Sequence, residues 1–103
     1  MRLMNKSELK FLVKLLKNNT SFKVNLYQLS QLQVEEADDG GMGGLIFLSK
    51  NQGRRLGKDI ASYKFKDQDG VTVITTLSLD NFGDLYELDV WKTNFSKLIN
   101  FPT

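Results

Sequence analysis

Residues 59–92, DIASYKFKDQDGVTVITTLSLDNFGDLYELDVWK, contain three runs of alternating side chains separated by two turn signals. In the first run Ala61, Tyr63 and Phe65 fall on one side, and Ser62, Lys64 and Lys66 on the other. In the second, Val71, Val73, Leu77 and Leu79 share a side. In the third, Tyr86, Leu88 and Val90 oppose Glu87, Asp89 and Trp91. A period of two marks a strand with one buried face. DQDG (67–70) and DNFGD (80–84) concentrate Asp and Gly, which accept the positive φ that tight hairpin turns demand. The stretch therefore predicts three consecutive antiparallel strands over 59–66, 71–79 and 85–92.

Upstream of this sheet the period changes. Leu9, Leu12, Val13 and Leu16 recur at helical spacing, Phe11 and Leu15 widen their stripe, and Lys6, Lys10, Lys14 and Lys17 line the other side. This predicts an amphipathic helix over 7–17, packed on the sheet through the leucines. Asn5 and Glu8 have the spacing of a capping box at its start. Residues 22–33 are mixed: Phe22, Val24 and Leu26 alternate like a strand, whereas Leu26, Leu29 and Leu32 recur like a helix. A second short helix over 25–31 is expected. Gln33–Ala37 and Leu45–Ser49 read as extended segments joined by DDGGMGG (38–44), a hairpin or a broad glycine loop. Residues 50–57 read as a loop, and the tail, with Phe95, Leu98, Ile99 and Phe101, is too apolar to hang free. The expectation is one α+β domain over 1–103. One or two N-terminal helices cover one face of a meandering antiparallel sheet of four to five strands.

Composition excludes much chemistry. The 103 residues include no cysteine and no histidine, which removes disulfides, thiolate nucleophiles, Cys-ligated metals, the commonest metal ligand and the commonest general base. No catalytic residue, metal or cofactor is expected. The net charge of +2 conceals blocks of opposite sign. Residues 1–33 and 50–66 each hold six basic residues and one acidic, whereas VEEADD (34–39) and 67–89 are purely acidic. Such blocks either pair within the fold or form a bipolar surface. Because acidic blocks match the basic ones and no recognition motif is present, nucleic acid is not the expected partner. No secretory signal is legible and no run approaches the ~18 apolar residues that span a bilayer. The cytoplasm is the expected compartment, with no membrane association.

Three motifs fail on spacing. The cluster Gly40-Gly41-Met42-Gly43-Gly44 has Ile46 where a dinucleotide fingerprint needs glycine. GRRLGKD (53–59) has three residues between its glycines where a phosphate loop needs four, and Asp59 where that loop needs Ser or Thr. DQDG opens like a calcium loop but reaches Ser78 where that loop needs Glu. What remains is a candidate interaction surface. Asp38, Asp39, Gly40, Gly41, Met42 and Gly43 form a loop whose bare backbone and adaptable methionine suit a partner. The opposing reading makes Met42 a core anchor for the turn. Glu87, Asp89 and Trp91 form a second patch on one strand face. The alternative to an interaction module is a small-ligand or carboxylate-based catalytic domain built on Asp80, Asp84, Glu87 and Asp89, since adjacent like charges raise a carboxylate pKa.

DDGGMGGLIF (38–47) and DGVTVITTLSLDNFGDLYELDVWKTNFSKLINFP (69–102) together resemble a family of small bacterial single-domain proteins, a domain of unknown function. Its members carry a D-G-G-M-G-S-like turn, a strand of the type L-Y-E-L-D-V-W-K, then D-F-S and a terminal F-P. Gly44 stands where Ser is usual and Asn94 where Asp is usual. The resemblance covers most of 34–102 and brings no catalytic residues. Relatives sit near bacterial toxin systems, so it implies an immunity-type or antitoxin-like binder, with a toxin as its protein partner. Pairing of two copies into a homodimer is a separate expectation.

Overall fold

The computed structural model describes residues 1–19 and 25–102. In chain order the elements are β1 (Arg2–Leu3), α1 (Lys6–Asn19), α2 (Leu26–Ser30), β2 (Gln33–Glu36), β3 (Leu45–Phe47), β4 (Leu56–Lys66), β5 (Thr72–Asp80) and β6 (Leu85–Lys92). They form one antiparallel sheet in the order β1-β2-β3-β6-β5-β4, with the helices on one side.

The α+β reading stands, and the three strands of the 59–92 stretch pair as consecutive hairpins. Three details differ. The sheet has six strands rather than four or five, because Arg2–Leu3 pairs with Gln33–Val34. A two-residue strand is too short to show alternation. The sheet is not one meander either: β3 pairs with β6, so residues 48–55 carry the chain across to the far edge. Finally, β4 begins at Leu56, inside the expected loop, and carries register shifts between Leu56 and Lys58 and between Asp59 and Ala61. Such bulges break the alternation by which a strand is recognised.

The capping box is present. Asn5 Oδ1 accepts from the Glu8 amide at 2.8 Å, and Glu8 Oε1 accepts from the Asn5 amide at 2.9 Å. Asn25 caps α2 by accepting from the Gln28 amide. The strand-like alternation at Phe22 and Val24 lies outside the described residues. The buried stripe of α1 is rotated from the expected one: Phe11, Leu12, Leu15 and Leu16 are buried, while Leu9 and Val13 lie at its margins. Phe11 decides this rotation. It stacks on Phe101 at 4.8 Å and meets Phe65 and Tyr63 at 5.8 and 6.1 Å. Aromatic side chains bury more area than leucine, and each large apolar side chain buried contributes roughly 2 kcal/mol. Leu45, Phe47, Val73, Leu77, Leu88 and Val90 complete the core from the sheet.

Two cations, Lys92 buried and Arg54 half-buried, close the ends of this core. Lys92 is fully buried, and its Nζ donates to Asp67 at 2.9 Å, Asp69 at 2.6 Å and the Lys97 carbonyl at 3.0 Å. Asp67 also accepts from the amides of Ile99, Asn100 and Gln68, which ties the 67–70 turn to the tail. At the other end Arg54 Nε donates to buried Asp80 at 2.8 Å, while its two terminal nitrogens donate to the carbonyls of Phe47 and Leu85. Arg54 therefore fastens the 48–55 crossover to β3 and β6. Both turns are hairpin turns, as expected, but each is also an anchor for a distant segment.

Candidate interaction surface

The glycine loop is built around Asp39. Its Oδ1 accepts from the amides of Gly41 (3.2 Å) and Met42 (3.0 Å), and its Oδ2 from Gly44 (2.9 Å). Gly40, Gly41 and Gly43 have φ of 72°, 86° and 100°, a region that side chains beyond glycine enter at a cost. The tail covers the loop: Leu98 donates its amide to the Gly41 carbonyl, and the Leu98 side chain would clash with a Cβ at Gly43. Much of the bare backbone that the sequence offers to a partner is therefore satisfied internally. Asp38 is exposed, and Met42 is half-buried and outside the core cluster.

The second patch lies on the opposite side of the sheet from the helices, and strand register arranges it in rows. One row runs Glu35, Ile46, Glu87, Ser78, Asp59 across five strands. The next holds Asp89, Thr76 and Ser62, and the next Trp91, Ile74 and Lys64. This face grades from three carboxylates in one row, through Asp89, to an aromatic and a lysine. Trp91 and Phe95 are both exposed, with ring centroids 6.4 Å apart.

The carboxylates on this face repel one another. Partial burial and the charges of Asp89 and Asp59 raise the pKa of Glu87 above its ordinary value. Partial burial and the charges of Asp39 and Asp59 do the same for Asp89. Among the described residues no basic group lies within 4.0 Å of Glu35, Asp59, Glu87 or Asp89. The structure thus joins Asp39 of the loop to Asp89 by their mutual repulsion, while Asp38, Met42 and the glycines belong to the loop edge. Sequence reasoning missed Asp59, Glu35, Ile46, Ile74 and Phe95. The one available signal was Asp59, the lone acid in the basic block 50–66.

The alternative catalytic set is dispersed. Asp80 is buried in the Arg54 cluster and accepts from the amides of Phe82 and Asp84, whereas Asp84 is exposed and accepts from Asn51. The depression beside β4 is lined by Asp59, Ile60, Ala61, Ser62 and Thr76 and opens widely to solvent. Among the described residues no three acidic groups are placed to hold a metal ion, and no helix is long and apolar enough to cross a membrane.

Two helices laid on one face of an antiparallel sheet, with the other face bare, define the chain as an α+β domain. Residues 1–102 match the family described as "Domain of unknown function (DUF6984)", and the chain belongs to that family. No curated protein and no solved structure matches it.

Proposed function

We propose that this protein is a non-enzymatic interaction module, acting in the cytoplasm, that engages a basic protein surface through the open face of its sheet. The observation that carries the reading is the row Glu35, Glu87, Asp59 with neighbouring Asp89: like charges held together with no cation in reach. Every buried side-chain polar atom among the described residues has a partner, whereas these carboxylates stand without an ion pair. Like charges grouped at a destabilising cost are a mark of functional surface. A basic partner removes that repulsion, and Trp91 with Phe95 supplies the aromatic contact typical of binding hot spots. An antitoxin-like role is one form of this reading, in which the acidic face occludes a basic groove of a toxin. The carboxylate-based catalytic alternative has weaker support, because Glu87 and Asp89 do not line the adjacent depression.

A photo-crosslinking residue placed at position 91, with position 10 on the exposed side of α1 as control, tests the proposal in the native host. The expected result is one dominant adduct with a basic protein from position 91 alone, lost when Asp89→Lys is added. Equal adducts from both positions, or an adduct indifferent to Asp89→Lys, overturn it.

A further inference from the structure

The two edges of the sheet are unlike. One is β1, two residues long; the other is β4, eleven residues long, with no strand beyond it among the described residues. The phase of its hydrogen bonds follows from the turn. The Asp67 amide donates to the Val71 carbonyl, so Asp67 and Val71 form a bonded pair. Bonded and non-bonded pairs alternate in an antiparallel ladder. Phe65–Val73, Tyr63–Thr75 and Ala61–Leu77 are therefore bonded pairs, and the N–H and C=O groups of Ser62, Lys64 and Lys66 point away from β5. Among the described residues no other segment bonds to these outward groups. Beyond the bulges, residues 61–66 keep an unbroken register.

We propose that this edge accepts an extended acidic segment of a partner protein as a seventh strand. Charge selects the occupant. Lys58, Lys64 and Lys66 are exposed on β4, and Lys14 of α1 sits 5.5 Å from the Tyr63 ring centroid on the covered side. Pairing with a second copy is disfavoured by the same lysines: within the unbulged run 61–66, antiparallel self-pairing about Lys64 opposes Lys64 to itself, and about Phe65 it opposes Lys64 to Lys66. Like charges directly opposite each other destabilise a strand pair. A strand alternating acidic and apolar residues fits both sides. Its carboxylates meet Lys64 and Lys66 on the open face, and its apolar residues cover half-buried Tyr63 and Phe65 on the other. The backbone supplies affinity and the alternate side chains supply selectivity. This site borders the open-face rows at Asp59, Ser62 and Lys64 but uses the free backbone of the β4 edge, and it does not rest on the proposed function.

The test uses the whole protein and two synthetic peptides, one alternating Glu and Val and one alternating Lys and Val. Amide exchange by NMR and fluorescence anisotropy are the readouts. The proposal expects the Glu–Val peptide to bind at least about tenfold more tightly than the Lys–Val peptide and to protect the amides of Ser62, Lys64 and Lys66. Lys64→Pro removes an outward N–H without removing a ladder bond, so it should abolish binding while the melting temperature holds. Lys64→Glu should reverse the peptide preference, and Lys10→Ala on the exposed side of α1 should leave binding intact. No binding, binding without protection at these amides, or binding indifferent to Lys64→Pro overturns the proposal. Protection of the same amides by self-association assigns the edge to a second copy and overturns it equally.

Discussion

The two faces of the sheet follow opposite rules. On the covered face the side chains are apolar, and the charges at its ends, Lys92 with Asp67 and Asp69, and Arg54 with Asp80, sit against opposite charge and hydrogen-bond donors. On the open face Glu87, Asp89 and Asp59 sit among their own kind, and Trp91 and Phe95 remain in water. One face satisfies each charge at short range, and the other holds carboxylates with no basic group within 4.0 Å among the described residues. The same strands carry both: in β6, Leu88, Val90 and Lys92 point inward while Glu87, Asp89 and Trp91 point outward. A fold-stabilising role and an outward role are therefore separable by substitution, residue by residue.

The largest expected effect lies on the covered face. Leu12 is fully buried in the core, so Leu12→Asp should leave no cooperative thermal transition. Phe11→Ala, which also loses the stack on Phe101, should cost about 3–5 kcal/mol in denaturant unfolding. A near-normal melt for Leu12→Asp breaks the comparison at its root.

Next comes the buried cation. Lys92→Met should lower the melting temperature by roughly 10 °C or more, because Asp67 then lacks its counter-charge inside the fold. Burial by itself would raise the Asp67 pKa. The amide of Ile99, the Lys92 ammonium and the amides of Gln68 and Asn100 outweigh it and bring the pKa to about 2. A carboxylate depressed in the folded state stabilises above its unfolded pKa, and that stabilisation is lost as pH falls through the folded value. Wild-type stability should decline between about pH 4 and pH 2, and Lys92→Met should move that decline to higher pH. Thermal melts across this range are the check.

These elements also mark how far the sequence could be read. The strands over 59–92, the Asn5–Glu8 box and the short second helix were legible because period and capping are local signals. Lys92 was not. It reads as the polar end of an alternating strand, and only its in-facing parity, shared with Leu88 and Val90, hints that it enters the core. The partner carboxylates lie 23 and 25 residues away in sequence, a pairing that no local pattern encodes. Arg54 is similar: the crossover it pins arises because β3 pairs with β6, a long-range choice. For the candidate surface, Glu87, Asp89 and Trp91 were found by alternation, whereas Asp59, Ile46 and Glu35 join them only once the register is known. The glycine loop was conspicuous in sequence for a reason that proved largely internal, the Asp39 cap and the close approach of Leu98.

A smaller effect sharpens the status of that loop. Met42 lies outside the core cluster, and Asp39 and the tail hold the turn, so Met42→Lys should shift the melting temperature by only a few degrees, about 1 kcal/mol at most. A loss of several kcal/mol in chemical denaturation would instead make Met42 the anchor of the loop.

The smallest effect has the opposite sign. Raised carboxylate pKa values mean that ionisation weakens the folded state, so Glu87→Gln with Asp89→Asn should raise the melting temperature slightly at pH 7. The gain should disappear near pH 3, where Glu87 and Asp89 of the wild type are largely protonated. Destabilisation at pH 7 would mean that an unseen favourable contact holds these groups.

The central claim, that the open face keeps charges the fold does not need, is tested most directly by titrating the side-chain carboxyl carbons of Glu87 and Asp89 by NMR in the free protein. Both should titrate above the ordinary glutamate and aspartate values, with Asp59→Asn lowering each of them, because Asp59 contributes repulsion at both sites. Titration of both groups at or below their ordinary values, unmoved by Asp59→Asn, would show that the open face is as well satisfied as the covered one and would contradict the account.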